Sequence, residues 1–300
     1  MTQLARRISV VAILALLAVV LATAVWTHDR TSSPPPAPSP GESLDRRCHR
    51  TADWLRRQLG DSFHLLVRSP FILASDARPE DLQGWYETLI LPAATAMSDR
   101  YFRTPPHEPI TVIRCSGEQE YRRTAEHLFS QSPPSPYGYY RPHLRTILLN
   151  DQQRGAAAAR HELTHALMDF DFPAAPAWLR EGLAALHEDG ELAVGDHGIP
   201  LDHRRPVLRR ALSSGQLPSL AALLALQTLH DEHESLHYAH AQHFCRYLQQ
   251  QTLLEPLYQR LRAATTDCTG QDTLQQLVPD RTWSEWEAAF RRHLQRDLPP

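Results

Sequence analysis

The five residues from His161 to His165, which read His-Glu-Leu-Thr-His, constrain the fold of this chain more than any other feature. On an α-helix, positions i and i+4 lie on one face, so both imidazoles can reach a single metal ion. Glu162 is rotated from that face by about 100°, so it can hold a water at the ion without ligating the ion itself. The motif therefore predicts a helix that carries a metal site.

The flanking sequence predicts that this helix runs from Asn150 to Phe170. Asn150 or Asp151 can cap it, and the alanines at 156–159 favour it strongly. An apolar stripe at helical spacing predicts the face that packs on the core: Leu163, Ala166, Leu167 and Phe170. The two histidines project from roughly the opposite side. The alternative is a pair of ordinary surface histidines.

A second helix can supply a third ligand. The turn at 172–176 ends the first helix, and Trp-Leu-Arg-Glu-Gly-Leu-Ala follows from Trp178. Catalytic zinc takes three protein ligands and leaves one position for water, and Glu181 is placed to be the third ligand. Three small residues predict a close approach of the two helices: Gly182, Ala184 and Ala185. The alternative for Glu181 is a solvent-exposed carboxylate beside Arg180.

The stretch from 161 to 184 resembles the gluzincin metallopeptidases, especially the peptidase MA-like group, which carry H-E-x-x-H and a later W-x-x-E-G-x-A. The resemblance implies that His161, His165 and Glu181 bind Zn²⁺ and that Glu162 is the general base. It also implies a zincin-like fold. In that family the strand before the helix borders the cleft and pairs with extended substrates.

Two departures from the family pattern matter. The G-x-M-E-N type motif of gluzincin aminopeptidases is absent, so aminopeptidase activity is not implied. Ala185 stands where thermolysin-like members carry an aspartate four residues after the ligand glutamate. The carboxylate that orients a ligand histidine must come from elsewhere, and Asp169 and Asp189 are the candidates.

Tyr238 lies 57 residues after Glu181 and near the start of a helical pattern. Gluzincin aminopeptidases supply a tyrosine hydroxyl to the oxyanion from a downstream helix, so the resemblance implies a catalytic role for Tyr238. The alternative is a ring packed in the core whose hydroxyl merely finds a partner. His237 and His240 are the fallback donors.

Residues 230–243 hold five histidines, which have two interpretations. One is a second metal site. The other is a solvated, His-rich helix face, which is favoured because His237, His240 and His243 step by three and drift around a helix.

The N-terminus predicts export. Arg6 and Arg7 precede an apolar run from Ile8 to Trp26. A small-residue cleavage site ends at Ala24, but a run of this length can also span a bilayer as an uncleaved anchor, which is favoured because the run continues beyond that site. Residues 1–30 are thus a signal peptide or signal anchor, and the Pro-rich residues 31–42 are a stiff spacer.

The remaining residues, 43–300, are then a metallopeptidase domain outside the cytoplasm. We expect it to be anchored to the inner membrane of a bacterial cell envelope and to face the periplasm, or to be secreted if cleaved. Four cysteines fit an oxidising compartment. Locality favours the pairs Cys48–Cys115 and Cys245–Cys268, and the alternative is four buried free thiols.

The predicted fold class is α+β, with a small mixed sheet in 43–150 and a mainly helical part with the zinc site in 151–300. The predicted strands are Phe63–Val67, Phe71–Ala74, Pro109–Arg114 and Thr146–Leu149. The predicted helices are Leu44–Leu59, Pro79–Phe102 with a kink or break at Pro92, Glu118–Phe129, Leu220–Leu229, Leu236–Gln250, Leu253–Ala263 and Thr282–Leu294. Tyr137–Tyr140 is predicted to be a turn with exposed aromatics. Thr146–Leu149 is a core strand on its residues alone and the cleft edge by resemblance.

Composition excludes several functions. The net charge is −3, so there is no electrostatic case for nucleic acid. All 31 basic side chains are arginine, which excludes lysine Schiff-base chemistry and a P-loop. We therefore expect a membrane-tethered zinc peptidase that acts on peptides or proteins. The alternatives are a non-catalytic envelope binding protein on the same scaffold and a metal-binding protein that uses the His-rich segment.

Overall fold

The computed structural model describes residues 39, 41–188, 204–264 and 266–298. Its strands are β1 (His64–Arg68), β2 (Phe71–Ser75), β3 (Ile110–Cys115), β4 (Gly138–Arg141) and β5 (Thr146–Asn150). They form one sheet in the order β1-β2-β3-β5-β4. The two inner pairs are parallel and the two outer pairs are antiparallel. A mixed sheet followed by a mainly helical part confirms the α+β prediction.

The helices of the described residues follow in chain order. They are α1 (Leu44–Leu59), α2 (Pro79–Trp85), α3 (Leu91–Arg100), α4 (Glu118–Phe129), α5 (Gly155–Asp171), α6 (Ala177–His187), α7 (Arg205–Ser213), α8 (Leu220–Leu224), α9 (Glu234–Gln250), α10 (Leu254–Ala263), α11 (Gln271–Leu277) and α12 (Trp283–Asp297). A π-helical turn (Tyr86–Ile90) joins α2 to α3, and a 3₁₀ turn (Pro142–Leu144) joins β4 to β5. The predicted break near Pro92 is this turn, with the proline in the first turn of α3, where its missing N–H costs least.

Alternating side chains of the sheet divide the core in two. In β2, Phe71 and Leu73 belong to the larger core, which also contains residues of α5, α6 and α9. Ile72 and Ala74 point to a smaller core that includes residues of α1 and α4. The sheet is therefore covered on both faces, and α5 packs against it at β4 and β5.

The turn predicted at 137–140 is wrong, because residues 138–141 form the edge strand β4. Tyr139 is buried, with its ring 6.3 Å from that of Tyr121 and 6.0 Å from that of Phe129. Only Tyr137 is exposed as expected, at 39%. A Cβ on Gly138 would lie 2.8 Å from Leu149 Cδ2, so the glycine permits a close strand contact rather than a turn.

Strand β5 pairs with β3 on one side and with β4 on the other. The expectation that Thr146–Leu149 forms the free edge of a cleft is therefore wrong, and the core-strand interpretation is confirmed. In the sheet that the structure describes, the free edges belong to β1 and β4.

The predicted disulfides are wrong. All four cysteines are free thiols, and three of them are buried. Cys48 and Cys115 lie in the smaller core, and Cys245 is enclosed between α6 and α9, whereas Cys268 is exposed. Proximity in the sequence therefore did not predict disulfide bonding.

Residues 1–38, which include the apolar run and most of the proline spacer, lie outside the described residues. Among the helices that are described, none is both long and apolar enough to cross a membrane.

Candidate metal centre

The turn before α5 places the H-E-x-x-H motif. Asn150 ends β5, and its side-chain amide donates to Glu118 at 2.6 Å and to the carbonyl of Pro136 at 3.0 Å. Asp151 pairs with Arg114 at 2.6 Å. Both predicted caps are thus wrong, because these side chains fasten the turn and α5 begins only at Gly155.

Three ligand atoms converge on one point, as the sequence predicts. His161 Nε2 and His165 Nε2 are 3.1 Å apart. Glu181 Oε2 lies 3.5 Å from the first and 3.3 Å from the second. Within the described part of the chain, this trio is the one group of His, Cys, Asp or Glu side chains arranged to hold a metal ion.

Zinc fits this donor set. Tetrahedral zinc with Zn–N bonds of 2.0–2.1 Å separates two ligand nitrogens by roughly 3.3 Å. The three observed separations, 3.1, 3.3 and 3.5 Å, are all close to that value. Glu181 Oε2 is buried without a hydrogen-bond donor in good geometry among the described residues, and it faces the two imidazoles instead. A buried acceptor that faces two imidazole nitrogens suits a metal ion.

Two contacts position helix α6, one at Trp178 and one at Gly182. Trp178 Nε1 donates to the carbonyl of Thr269 at 2.8 Å. A Cβ on Gly182 would lie 2.7 Å from both the carbonyl oxygen of Ala241 and Cys245 Sγ. The small residues were expected to admit the first helix, but Gly182 in fact admits α9.

Glu188 contacts the candidate site, and the sequence analysis did not predict it. Its Oε1 lies 2.9 Å from Nδ1 of His161, the nitrogen that faces away from the other ligands. The predicted partner Asp169 pairs with Arg180 at 2.7 Å and is wrong, and the other candidate lies outside the described residues. The spacing in the sequence could have predicted Glu188, because it follows Glu181 by two helical turns and so shares its face.

Glu188 is itself held by two arginines. Arg204 Nη1 and Nη2 bind its two oxygens at 3.0 and 2.9 Å, and Arg154 Nη2 lies 3.1 Å from Oε2. Burial opposes the charge, but the contact with His161 and then the contact with Arg204 bring the pKa of Glu188 down to about 2. Glu188 is therefore a carboxylate at neutral pH.

The two ligand charges stabilise each other. Burial lowers the pKa of His161, but contacts with Glu181 and Glu188 outweigh burial and raise it to about 10. Burial raises the pKa of Glu181, but the charge of His165 and the contacts with both imidazoles outweigh burial and hold it well below its usual value. The site therefore has a strong demand for positive charge, which a metal ion would meet.

Glu162 lies between the ligands and the edge of the sheet. It is half-buried, and its carboxylate accepts a hydrogen bond from the backbone amide of Tyr140 in β4. Burial raises the pKa of Glu162, and the imidazoles oppose this. A carboxylate with a raised pKa beside a metal site can accept a proton near neutral pH.

Tyr238, from α9, is close to the ligands. Its ring is nearly parallel to that of His161, with centroids 6.2 Å apart. Its pKa is raised above the usual range first by burial and then by the carboxylate of Glu181. The hydroxyl lies 3.4 Å from His230 Nε2, and His230 Nδ1 lies 2.9 Å from Glu234.

The fallback donors lie elsewhere. His237 Nδ1 is 3.2 Å from Asp231, and His240 stacks on Phe290 with centroids 5.6 Å apart. His237, His240 and His243 are all buried, so a solvated face is the wrong interpretation for them, whereas His230 and His233 are exposed. A second metal cluster is not formed among the residues that the structure describes.

A cavity of about 470 Å³ opens beside His161. Its walls combine apolar and charged groups: Pro134, Pro136, Tyr137, Ala158, Tyr238, Arg154, Arg204, Glu188, Glu234 and His230. The cavity is large enough for an amino-acid side chain and is lined in part by His161, one of the three candidate ligands.

No protein-family model matches this chain, and a search of curated proteins gives no match.

Proposed function

We propose that this chain is a zinc-dependent peptidase of the gluzincin type. The observation that carries the proposal is the convergence of His161 Nε2, His165 Nε2 and Glu181 Oε2 within 3.5 Å of one another, with Glu162 on the same helix. Two histidines and a glutamate, with space for water, form one of the ligand sets of catalytic zinc. Zinc, when bound, supplies Lewis acidity that polarises a carbonyl and lowers the pKa of a water.

The residues around the site have complementary roles in this proposal. Glu162 takes the proton of the attacking water and passes it to the leaving amine. Tyr238 donates its hydroxyl to the oxygen that becomes negative in the transition state. The position of Tyr238 beside the ring of His161 and the carboxylate of Glu181 supports this role.

The substrate is proposed to be a peptide or protein in extended form. Edge strand β4 contacts Glu162 through Tyr140, and the cavity beside His161 lies next to the residues that precede β4. An exposed edge can add a further strand by backbone hydrogen bonds. This is consistent with a substrate segment that pairs with β4 while one of its side chains enters the cavity.

We further propose that the domain is exported and tethered by the apolar run from Ile8 to Trp26. The arginine pair before the run and the prolines after it support this location. A reporter fused after Pro300 should be active on the outer side of the membrane, and activity only in the cytoplasm would refute the location.

Cleavage of a peptide library by the full-length chain, purified in detergent, tests the proposed activity. We expect cleavage that a chelator abolishes and zinc restores. Glu162→Gln is the matched variant, because the amide keeps the shape and loses the base; its turnover should fall by roughly 10²- to 10⁴-fold. A chain that binds zinc but cleaves nothing would favour the non-catalytic binding protein instead.

A further inference from the structure

We propose that Glu188 is a positioning residue for His161, and that Arg204 and Arg154 act on the metal centre through Glu188. This inference rests on the proposed zinc site. It assigns a role in metal binding to three residues that are not metal ligands.

The first step concerns which nitrogen His161 presents. Its Nδ1 lies 2.9 Å from Glu188 Oε1, and its Nε2 points to the other two ligands. An imidazole that donates Nδ1–H to a carboxylate is fixed in ring orientation and in tautomer, so its Nε2 lone pair is available to a metal. His165 lacks such support in the described residues, because its buried Nδ1 has no hydrogen-bond partner there.

The second step concerns how Glu188 keeps its own orientation. Arg204 grips both carboxylate oxygens, and Arg154 adds a contact to Oε2. A bidentate guanidinium fixes the plane of a carboxylate as well as its position. Glu188 directly follows α6 and Arg204 directly precedes α7, so this contact ties the end of one helix to the start of another beside His161.

A purely electrostatic effect of the arginines has the opposite sign. Two guanidiniums near a divalent cation repel it, so removal of one would tighten zinc binding. If Arg204 instead acts by holding Glu188, its removal loosens the carboxylate and weakens zinc binding. The sign of the change therefore separates the two mechanisms.

The test is the zinc Kd of the full-length chain, measured by competition with a chromogenic chelator. We expect Glu188→Gln to weaken binding by about 10- to 100-fold, and Arg204→Gln to weaken it by a smaller factor. The double variant should bind no more weakly than Glu188→Gln alone, because Arg204 acts through Glu188. Glu287→Gln is the matched control, since Glu287 accepts from Leu220 N and Arg291 away from the site.

A second measurement separates positioning from general loss of structure. In the cobalt(II)-substituted protein, the visible absorption bands report ligand geometry. We expect them to shift in Glu188→Gln and in Arg204→Gln but not in Glu287→Gln. If Glu188→Gln does not fold, Arg204→Gln and Arg154→Gln carry the same test.

Several results would overturn the inference. An unchanged zinc Kd in Glu188→Gln removes the role of Glu188, and an unchanged or tighter Kd in Arg204→Gln removes that of Arg204. Additive effects or unshifted cobalt bands would also count against it. A wild-type chain that binds no zinc would instead refute the proposed function, so the two failures are distinguishable.

Discussion

At the residue scale, every buried carboxylate around the candidate site has cationic partners or hydrogen-bond donors. Glu181 faces two imidazoles, and Glu188 is gripped by Arg204. Asp171, at the end of α5, accepts from two backbone amides, from Tyr258 at 2.9 Å and from Arg262 at 3.0 Å. Because an unpaired buried charge costs several kcal/mol, these contacts fix where the site can form.

The role of Tyr238 is a residue-scale prediction. Tyr238→Phe removes one oxygen and little volume, so we expect turnover to fall by about 10²- to 10³-fold with zinc content and melting temperature nearly unchanged. Tyr247→Phe is the matched control, because Tyr247 is a buried tyrosine of the same helix whose hydroxyl contacts Arg281 instead. Full activity in Tyr238→Phe would refute the role and direct attention to His230.

At the element scale, the site depends on three helices meeting at close range. Helix α5 carries the two histidines, α6 brings Glu181, and α9 brings Tyr238. Helices α6 and α9 approach each other closely at Gly182, where an added Cβ would lie 2.7 Å from α9. Anything that separates these two helices should therefore move Glu181 and Tyr238 apart.

Gly182→Ala tests this contact. The new methyl would overlap with α9, so we expect the free energy of unfolding to fall by about 1–3 kcal/mol and zinc affinity to weaken. Gly84→Ala is the control, because a Cβ on Gly84 meets nothing within 4 Å and alanine favours helices by roughly 0.5–1 kcal/mol. Urea titrations of both variants and of the wild type measure the free energy of unfolding of each. Equal stability of Gly182→Ala and wild type would contradict the tight packing.

The sequence predicts elements well where a strong local pattern decides them. Helices α1 and α4 have the predicted ends, because both are amphipathic and flanked by clear breaks. Strand β4 was mistaken for a turn, because it is short and follows a proline-rich stretch. Helices α7 and α11 were missed because they have only nine and seven residues, too few for a helical period to stand out.

The residues of the site also differ in whether local sequence can predict them. The three candidate ligands follow from spacing within α5 and from one nearby glutamate, so local sequence is sufficient to predict that they lie together. Glu188 lies on the same face as Glu181, but its partners Arg154 and Arg204 come from opposite sides in the sequence. Such a contact depends on tertiary packing, which periodicity does not report.

At the scale of the whole molecule, buried histidines set the response to acid. His187 and His240 are buried in separate places, and burial lowers the pKa of each to about 3, with nearby cations adding to the effect. An unfolded histidine has a pKa of about 6.5. The unfolded chain therefore binds more protons than the native chain between those values.

Stability should thus fall as pH drops from about 6.5 toward 3, by roughly 1.4 kcal/mol per pH unit for each such histidine. His240→Leu removes one titrating group, so the slope of unfolding free energy against pH should become shallower. His233→Leu is the control, because His233 is exposed and already in water. An unchanged slope in His240→Leu, measured by urea titration at a series of pH values, would contradict this.

The zinc content of the full-length chain tests the central claim most directly. The chain and two variants would be loaded with zinc, freed of excess metal and measured by elemental analysis. We expect one zinc per chain in the wild type and in Glu162→Gln, and loss of zinc in Glu181→Ala, because Glu181 is a ligand and Glu162 is not. A wild-type chain without zinc, or zinc retained equally by Glu181→Ala, would contradict it.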